Sequence, residues 1–150
     1  MNPVRLLLFF PLLFSAIAHA AAADHSTLYV QVIRGTDQEK PAGANYRQVG
    51  KKLGSKLSPV FRWKYYWETE RRKVHVDPTK VTKVLLARQR TLEIEHLKSG
   101  DMEIRLTRRS GLVTKARQPL NGRMVILGGE DSSMESFFVV VRPDEPVTLE

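Results

Sequence analysis

Short apolar segments separated by turn-forming residues recur about every ten residues in this chain, a spacing typical of small antiparallel β folds. In residues 27–33, Leu28, Val30 and Val32 fall on alternate positions, as expected for one face of a strand. Residues 124–127 and 136–141 are continuously apolar, which is typical of central strands buried on both faces. We therefore predict a mainly β fold, an antiparallel β-sandwich or a partly open barrel of seven or eight short strands with one short helix.

Residues 91–107 predict one hairpin together with its register. Leu92 and Ile94 can face Leu106 and Ile104, and Glu93 then faces Arg105. This register leaves residues 98–100 as a loop that ends in glycine, which suits a type I turn followed by a bulge. Similar turn residues at 109–111 lead into a predicted strand over residues 112–117.

A helix and an aromatic strand are predicted between residues 46 and 76. Tyr46, Val49, Leu53 and Leu57 form one helical stripe, which Ser58-Pro59 is expected to end. From Phe61 the period changes to two, and the large side chains at 61, 63, 65 and 67 favour a core-facing strand. Because Val74 and Val76 have the opposite parity, we expect a bulge near residues 70–72. Residues 77–88 fit a further strand better than a helix.

The amino-terminal residues have the layout of a secretory signal peptide. A basic start at Arg5 precedes an apolar run over residues 6–17 and small residues up to Ala23. We predict a signal peptide over residues 1–20, with cleavage after Ala20 or a later residue up to Ala23. The run is too short for a bilayer-spanning helix, so we expect no transmembrane anchor in the mature chain. One β-rich domain is predicted over residues 21–142, followed by a loose acidic tail over residues 143–150.

The sequence contains no cysteine, which excludes disulfides, a thiolate nucleophile and cysteine-bound zinc. An exported domain that relies on its core alone is more typical of bacteria than of eukaryotes. We therefore expect a periplasmic or extracellular location. Residues 53–68 and 137–141 resemble segments of small exported proteins of bacterial envelopes whose role is unassigned, and this resemblance implies the same compartment.

The excess positive charge is concentrated in residues 47–73. The whole chain has a formal net charge of +8, of which Arg5 contributes one to the predicted signal peptide. Residues 47–73 hold nine basic and two acidic side chains, so this segment accounts for all of the remaining +7. Together with Tyr46, it also holds six of the nine aromatic residues that follow the predicted signal peptide. Cations attract phosphate or carboxylate groups, and aromatic rings can stack on bases or sugars, so this segment is the candidate ligand-binding face.

We predict a non-enzymatic module that binds an anionic envelope component or an acidic protein partner, with nucleic acid a less favoured ligand. The candidate ligand-binding residues are Arg47, Lys51, Lys52, Lys56, Arg62, Trp63, Lys64, Trp67, Arg71, Arg72 and Lys73. The competing interpretation is that the aromatic residues fill the core and the cations form an ordinary solvated face.

Two other functions stay open at the level of sequence. In the first, the chain is a structural subunit of an envelope complex, and residues 61–67 or 137–141 pair with a partner strand. In the second, less favoured, His75, Asp77, Glu95 and His96 form the site of a metal-assisted hydrolase. No phosphate-binding loop, nucleophile elbow or paired-histidine zinc motif is present in the sequence, so we predict neither a catalytic residue nor a cofactor.

Overall fold

The computed structural model describes residues 27–119 and 123–149. The predicted signal peptide therefore lies outside the described residues. The elements in chain order are β1 (Thr27–Thr36), β2 (Arg47–Val49), α1 (Lys51–Phe61), β3 (Tyr65–His75), β4 (Thr82–Leu86), β5 (Arg90–His96), β6 (Asp101–Arg108), β7 (Gly111–Pro119), β8 (Val125–Ser132), β9 (Glu135–Arg142) and β10 (Thr148–Leu149).

These strands form two antiparallel sheets that pack as a β-sandwich, which confirms the predicted fold class, although the described residues form ten strands rather than seven or eight. The large sheet has the order β10-β2-β3-β1-β9-β8, and the small sheet has the order β4-β5-β6-β7. Apolar residues of both sheets fill the space between them, among them Val30, Val139, Leu92 and Ile104, each at most 1% exposed. Burial of this apolar surface is the main force that holds the sheets together.

A second, smaller core lies on the outer face of the large sheet, where α1 packs. Leu53 and Leu57 of α1 contact a cluster that includes Ile33, Tyr66 and Phe138. Successive residues of a strand point to opposite faces, so Val32 enters the sandwich core while Ile33 enters the core under the helix. All residues of β9 from Ser136 to Arg142 are buried, which confirms the prediction of a central strand there.

The predicted hairpin is present in the predicted register. In β5 and β6, Leu92 pairs with Leu106, Ile94 with Ile104, and Glu93 with Arg105. The cross-strand pair of Glu93 and Arg105 is an ion pair of 3.2 Å on the outer face of the small sheet. Residues 112–117 lie within β7, and residues 82–86 form β4, so both predicted strands are confirmed.

The predicted bulge lies in β3, at Thr69 rather than at residues 70–72. Val32 of β1 pairs with Glu70 and the next residue, Ile33, pairs with Glu68, so Thr69 is the extra residue. The bulge reverses which face the following residues occupy. Tyr66 and Glu68 therefore point toward α1, whereas Val74 points into the sandwich core.

The predicted helix differs from α1 at both ends. The stripe from Tyr46 begins as the short strand β2, and α1 starts only after its N-cap residue Gly50. The helix also continues past Ser58 and includes Pro59 in its last turn. Proline has no N–H to donate to the Ser55 carbonyl, and this loss is tolerated because Ser55 is exposed to solvent. Arg62 then ends α1 in the left-handed region, with φ of 58°.

Three further predictions were wrong. The face with residues 61, 63, 65 and 67 is not the core face of β3, since Phe61 belongs to α1 and the buried strand residues are Tyr66 and Glu68. β8 is an edge strand of the large sheet, not a central one. The tail is not loose, because Thr148 pairs with Val49 and Leu149 with Gln48.

The position of Gly54 inside α1 predicts that its replacement by alanine stabilises the protein. A Cβ atom added at Gly54 would meet only Val49 Cγ2, at the ordinary contact distance of 3.8 Å. We expect Gly54→Ala to raise the free energy of unfolding by about 0.5–1 kcal/mol, because glycine is a poor helix former. Urea denaturation measures this change.

A matched control is Gly128→Ala. Gly128 has φ of +116°, and its added Cβ atom would lie 2.1 Å from the Phe137 carbonyl oxygen, so this variant should lose stability. A loss of stability in Gly54→Ala would contradict the described packing of α1.

Candidate anion-binding surface and cavity

The structure distributes the nine candidate cations over three places instead of one continuous face. Five exposed cations lie on the side of the large sheet that carries α1, and we call them the helix-side basic surface: Arg47, Lys51, Lys52, Lys56 and Lys73. Arg71 lies on the same side but is half-buried. Arg62 and Lys64 follow the carboxyl end of the helix. Arg72 lies on the opposite face of β3, beside Arg34 and Arg88.

Most of these cations form no ion pair among the described residues. Lys52 forms an ion pair with Asp144 at 3.2 Å, Arg71 with Glu68 at 2.8 Å, and Arg72 with Glu70 at 2.5 Å. The other six form no ion pair with a described residue. The helix-side basic surface therefore contains four unneutralised cations: Arg47, Lys51, Lys56 and Lys73.

The two candidate tryptophans have structural contacts elsewhere. Trp63 donates a hydrogen bond from Nε1 to Ser136 Oγ at 2.8 Å and lies against Gly35, where an added Cβ atom would be 2.5 Å from the indole. Trp67 stacks on Tyr65 with ring centroids 5.3 Å apart, and its Nε1 donates to the Gln38 carbonyl. Since Trp67 lies on the face of β3 opposite Glu68, the structure does not bring it to the helix-side basic surface.

Arg71 belongs to a buried polar network rather than to an open binding face. Its guanidinium makes two hydrogen bonds to the carboxylate of Glu68, which is only 3% exposed. Gln31 donates to the same carboxylate from Nε2, and Arg71 also donates to the carbonyl of Pro146 at 2.9 Å. A buried carboxylate requires such partners, so the first role of Arg71 is to neutralise Glu68.

A cavity of about 340 Å³ lies at the amino end of α1. Its lining includes Lys51 and Lys52 of the helix, Gln31 of β1 and Arg142 of β9. Arg142 is 5% exposed and Gln31 is 1% exposed, so two polar side chains are buried beside this space. The Oε1 atom of Gln31 has no hydrogen-bond partner among the described residues.

The amino end of α1 has the electrostatic character of an anion site. Gly50 provides no side-chain cap, and the first turn contains no acidic residue. The first backbone N–H groups of a helix lack internal acceptors and carry a partial positive charge. Together with Lys51, Lys52 and Arg142, they favour a carboxylate or phosphate group at this position.

One carboxylate of the chain already lies there. Asp144 accepts hydrogen bonds from the guanidinium of Arg142 and from Lys52 Nζ, the latter at 3.2 Å. The hydrogen bonds from Arg142, and then that from Lys52, lower the pKa of Asp144 to about 2. Asp144 and Glu145 also contribute to the cavity lining.

Sequence reasoning missed Gln31, Gly50, Arg142 and Asp144. The stripe from Tyr46 to Leu57 places Gly50 inside the predicted helix, and Asp144 falls in the predicted loose tail. The available signal was Gly50-Lys51-Lys52 before an apolar stripe, because a helix start without an acidic residue is unusual. No local sequence pattern indicates that Arg142 and Asp144 lie at the amino end of this helix.

The proposed hydrolase residues do not form a metal site. Among residues 27–119 and 123–149, no group of three histidine, aspartate or glutamate residues lies in a position to hold a metal ion. Asp77 accepts hydrogen bonds from the hydroxyl and backbone N–H of Thr79 and pairs with Lys80, contacts that lower its pKa to about 2. His96 lies on β5, opposite Met102.

An arginine cluster on the other side of the large sheet was also missed. Arg88 pairs with Glu135 at 2.5 Å and with Asp131 at 2.8 Å, and Arg34 pairs with Glu135 at 2.6 Å. Arg90 lies 3.7 Å from the ring centroid of Phe137 and pairs with Asp131. These three arginines share two carboxylates, and the ion pairs connect the two sheets.

The strands of the strand-pairing hypothesis lie inside the large sheet. β9 has β1 on one side and β8 on the other, and Trp67 of β3 pairs with both Arg34 and Gln48. Residues 137–141 therefore offer no open edge to a partner.

Comparison with family models, with curated proteins and with solved structures gave no match to this chain. Within the described residues, no helix is both long enough and apolar enough to span a membrane.

The buried network predicts that Arg71 and Arg72 differ in their effect on stability. Arg71→Ala leaves the buried Glu68 carboxylate without its cation, so we expect a loss of about 3 kcal/mol in the free energy of unfolding. The control Arg72→Ala removes a half-exposed ion pair and should cost less than about 1 kcal/mol. Denaturant unfolding measures both changes, and equal losses would contradict the assignment.

The contacts of Asp144 predict a loss of tail docking in acid. The folded-state pKa of Asp144 is lowered from 3.8 to about 2, so its contribution is full above 3.8 and is lost as the pH falls through about 2. The amide resonances of Val49 and Thr148, which report the pairing of β2 with β10, should shift in this range. Asp144→Asn should remove the transition, whereas Asp77→Asn should leave it in place.

Proposed function

We propose that this protein is an exported, non-enzymatic binding module that holds an anionic envelope component or an acidic protein partner on its helix-side basic surface. The observation that carries the proposal is the set of cations without an ion pair, Arg47, Lys51, Lys56 and Lys73, on the same side of the large sheet as a helix start that has no acidic residue. Folding alone does not require them, because none of these exposed side chains fills the core.

The physical basis of recognition is long-range attraction followed by local hydrogen bonding. Exposed lysines raise the local concentration of an anion and accelerate its association, and this effect weakens with salt. The N–H groups at the amino end of α1 then offer directed hydrogen bonds to one anionic group. Lysine ammonium groups also retain enough freedom to accommodate anions of different shape.

Export and a periplasmic or extracellular location are part of the proposal. They are supported by the layout of residues 1–20 and by the absence of cysteine from the sequence. The absence of cysteine also means that the domain must be stabilised by its two cores in an oxidising compartment as well as in a reducing one.

The proposed function predicts a charge-specific loss of binding. The test protein is the triple variant Lys51→Glu/Lys56→Glu/Lys73→Glu, which leaves Lys52 and the docked tail intact. Vesicles that contain phosphatidylglycerol and a polyglutamate peptide serve as anionic probes. We expect the protein to bind at least one probe at low salt, with about tenfold weaker binding between 50 and 200 mM salt, and we expect the triple variant to lose that binding.

The matched control is Lys98→Glu/Arg109→Glu/Lys115→Glu, which changes the net charge equally at exposed positions of the small sheet and its turns. It should retain most of the binding. If both variants lose binding to the same extent, net charge and not the helix-side basic surface is responsible. If neither probe binds to the unaltered protein, the proposal fails.

A further inference from the structure

Residues 143–149 lie beside the amino end of α1 and accept hydrogen bonds from one residue each of α1, β9 and β3. The Asp144 carboxylate accepts from Lys52 and Arg142, and the Pro146 carbonyl accepts from Arg71. Beyond these contacts, Thr148 and Leu149 add a short strand to β2. An acidic, extended segment is therefore bound here through both a side chain and its backbone.

Gly50 is the point where the backbone of this segment comes closest to the helix. A Cβ atom added at Gly50 would lie 2.2 Å from the Val147 carbonyl oxygen. The φ of Gly50 is −66° and its ψ is 161°, a conformation that any residue adopts, so this glycine is required for the close approach and not for the turn. The site is thus shaped to accept a peptide backbone.

The contacts that hold the tail are few and partly exposed. β10 has only two residues, the Asp144 side chain is 44% exposed, and Val147 is 76% exposed. Exposed ion pairs stabilise weakly, and short edge strands open readily. At the same time, the buried Gln31 Oε1 beside the cavity has no donor, so the tail leaves one hydrogen-bonding group unsatisfied.

We propose that the cavity at the amino end of α1 and the outer edge of β2 form a binding site for an extended acidic segment of a protein partner. Residues 143–149 occupy this site in the structure, and the partner segment displaces them. This inference rests on the proposed function and narrows its partner class. A partner segment would place a carboxylate on Lys52 and Arg142, a carbonyl on Arg71 and a strand on β2. A backbone N–H near Gln31 would supply the donor that the tail lacks.

Two features favour a peptide over a phospholipid or a nucleic acid. Arg71 binds a backbone carbonyl, and β2 offers backbone hydrogen bonds in the β-augmentation mode of recognition. The close approach at Gly50 fits a peptide carbonyl at a fixed position along an extended chain. A lipid headgroup or a phosphodiester would use the charges but would not depend on this glycine.

The test uses a fluorescein-labelled heptapeptide with the sequence of residues 143–149, titrated into full-length protein and followed by fluorescence anisotropy. The variant Asp144→Asn/Glu145→Gln weakens the resident segment, so we expect it to bind the heptapeptide at least tenfold more tightly than the unaltered protein does. The control Asp37→Asn/Glu39→Gln makes the same change of charge in an exposed loop and should bind like the unaltered protein.

The substitution Gly50→Ala separates docking of a strand from general attraction between charges. Added to Asp144→Asn/Glu145→Gln, it should reduce heptapeptide affinity at least tenfold, because its Cβ atom occupies the position of the Val147 carbonyl. Circular dichroism and urea unfolding check that this variant is folded. A heptapeptide in which asparagine and glutamine replace the two acids should also bind at least tenfold more weakly.

The outcomes distinguish this inference from the proposed function. Equal heptapeptide affinity with and without the Asp144 and Glu145 substitutions, or no effect of Gly50→Ala, would refute the peptide site. Vesicle or polyglutamate binding that is lost in the helix-side triple variant would still support the proposed function in that case. Gly50-dependent binding of the heptapeptide, without binding of either anionic probe, would support the peptide site and reject a general anion-binding role.

Discussion

The extra residue at Thr69 in β3 determines where the side chains of the basic segment point. Before the bulge, Tyr66 and Glu68 face α1; after it, Val74 faces the small sheet, and both cores are filled only with this change of parity. The bulge also places Glu68 and Arg71 on the same face, three residues apart, where they form a buried pair. Without it, either the sandwich core or the core under the helix would receive a charged side chain.

The parts of the fold that were predictable are those set by local pattern. The register of β5 and β6 follows from opposing apolar and charged residues and a glycine-containing loop, so residues 92 and 106 could be paired from sequence. The aromatic strand was not predictable in the same way. The alternation of large side chains at residues 61, 63, 65 and 67 suggests one strand. In the structure, however, α1 ends at Arg62, whose backbone is left-handed, and β3 begins at Tyr65, so the alternating residues belong to different elements.

In the candidate site as well, residues that are neighbours in the sequence are not all neighbours in the structure. The nine cations of residues 47–73 are close in sequence, yet a helix, a left-handed cap and a bulged strand direct them to three places. Charge counting grouped Arg47, Lys51, Lys52 and Lys56, and these side chains share one side of the large sheet because β2 and α1 are short and consecutive. It could not locate Arg142 and Asp144, which reach the amino end of α1 from β9 and from the tail, because contacts between residues so far apart leave no local signal.

The acidic tail docks beside the helix-side basic surface without neutralising it. Asp144 shares its carboxylate between Lys52 and Arg142, so one negative charge serves two cations, while Arg47, Lys51, Lys56 and Lys73 keep their charge exposed. A buried Arg142 without an anion would carry a large desolvation penalty, so a carboxylate beside it stabilises the fold. The tail supplies that carboxylate at high effective concentration because it is covalently attached. An external segment must therefore exceed the tail in backbone contacts, and the unsatisfied Gln31 Oε1 is a place where such a contact remains to be made.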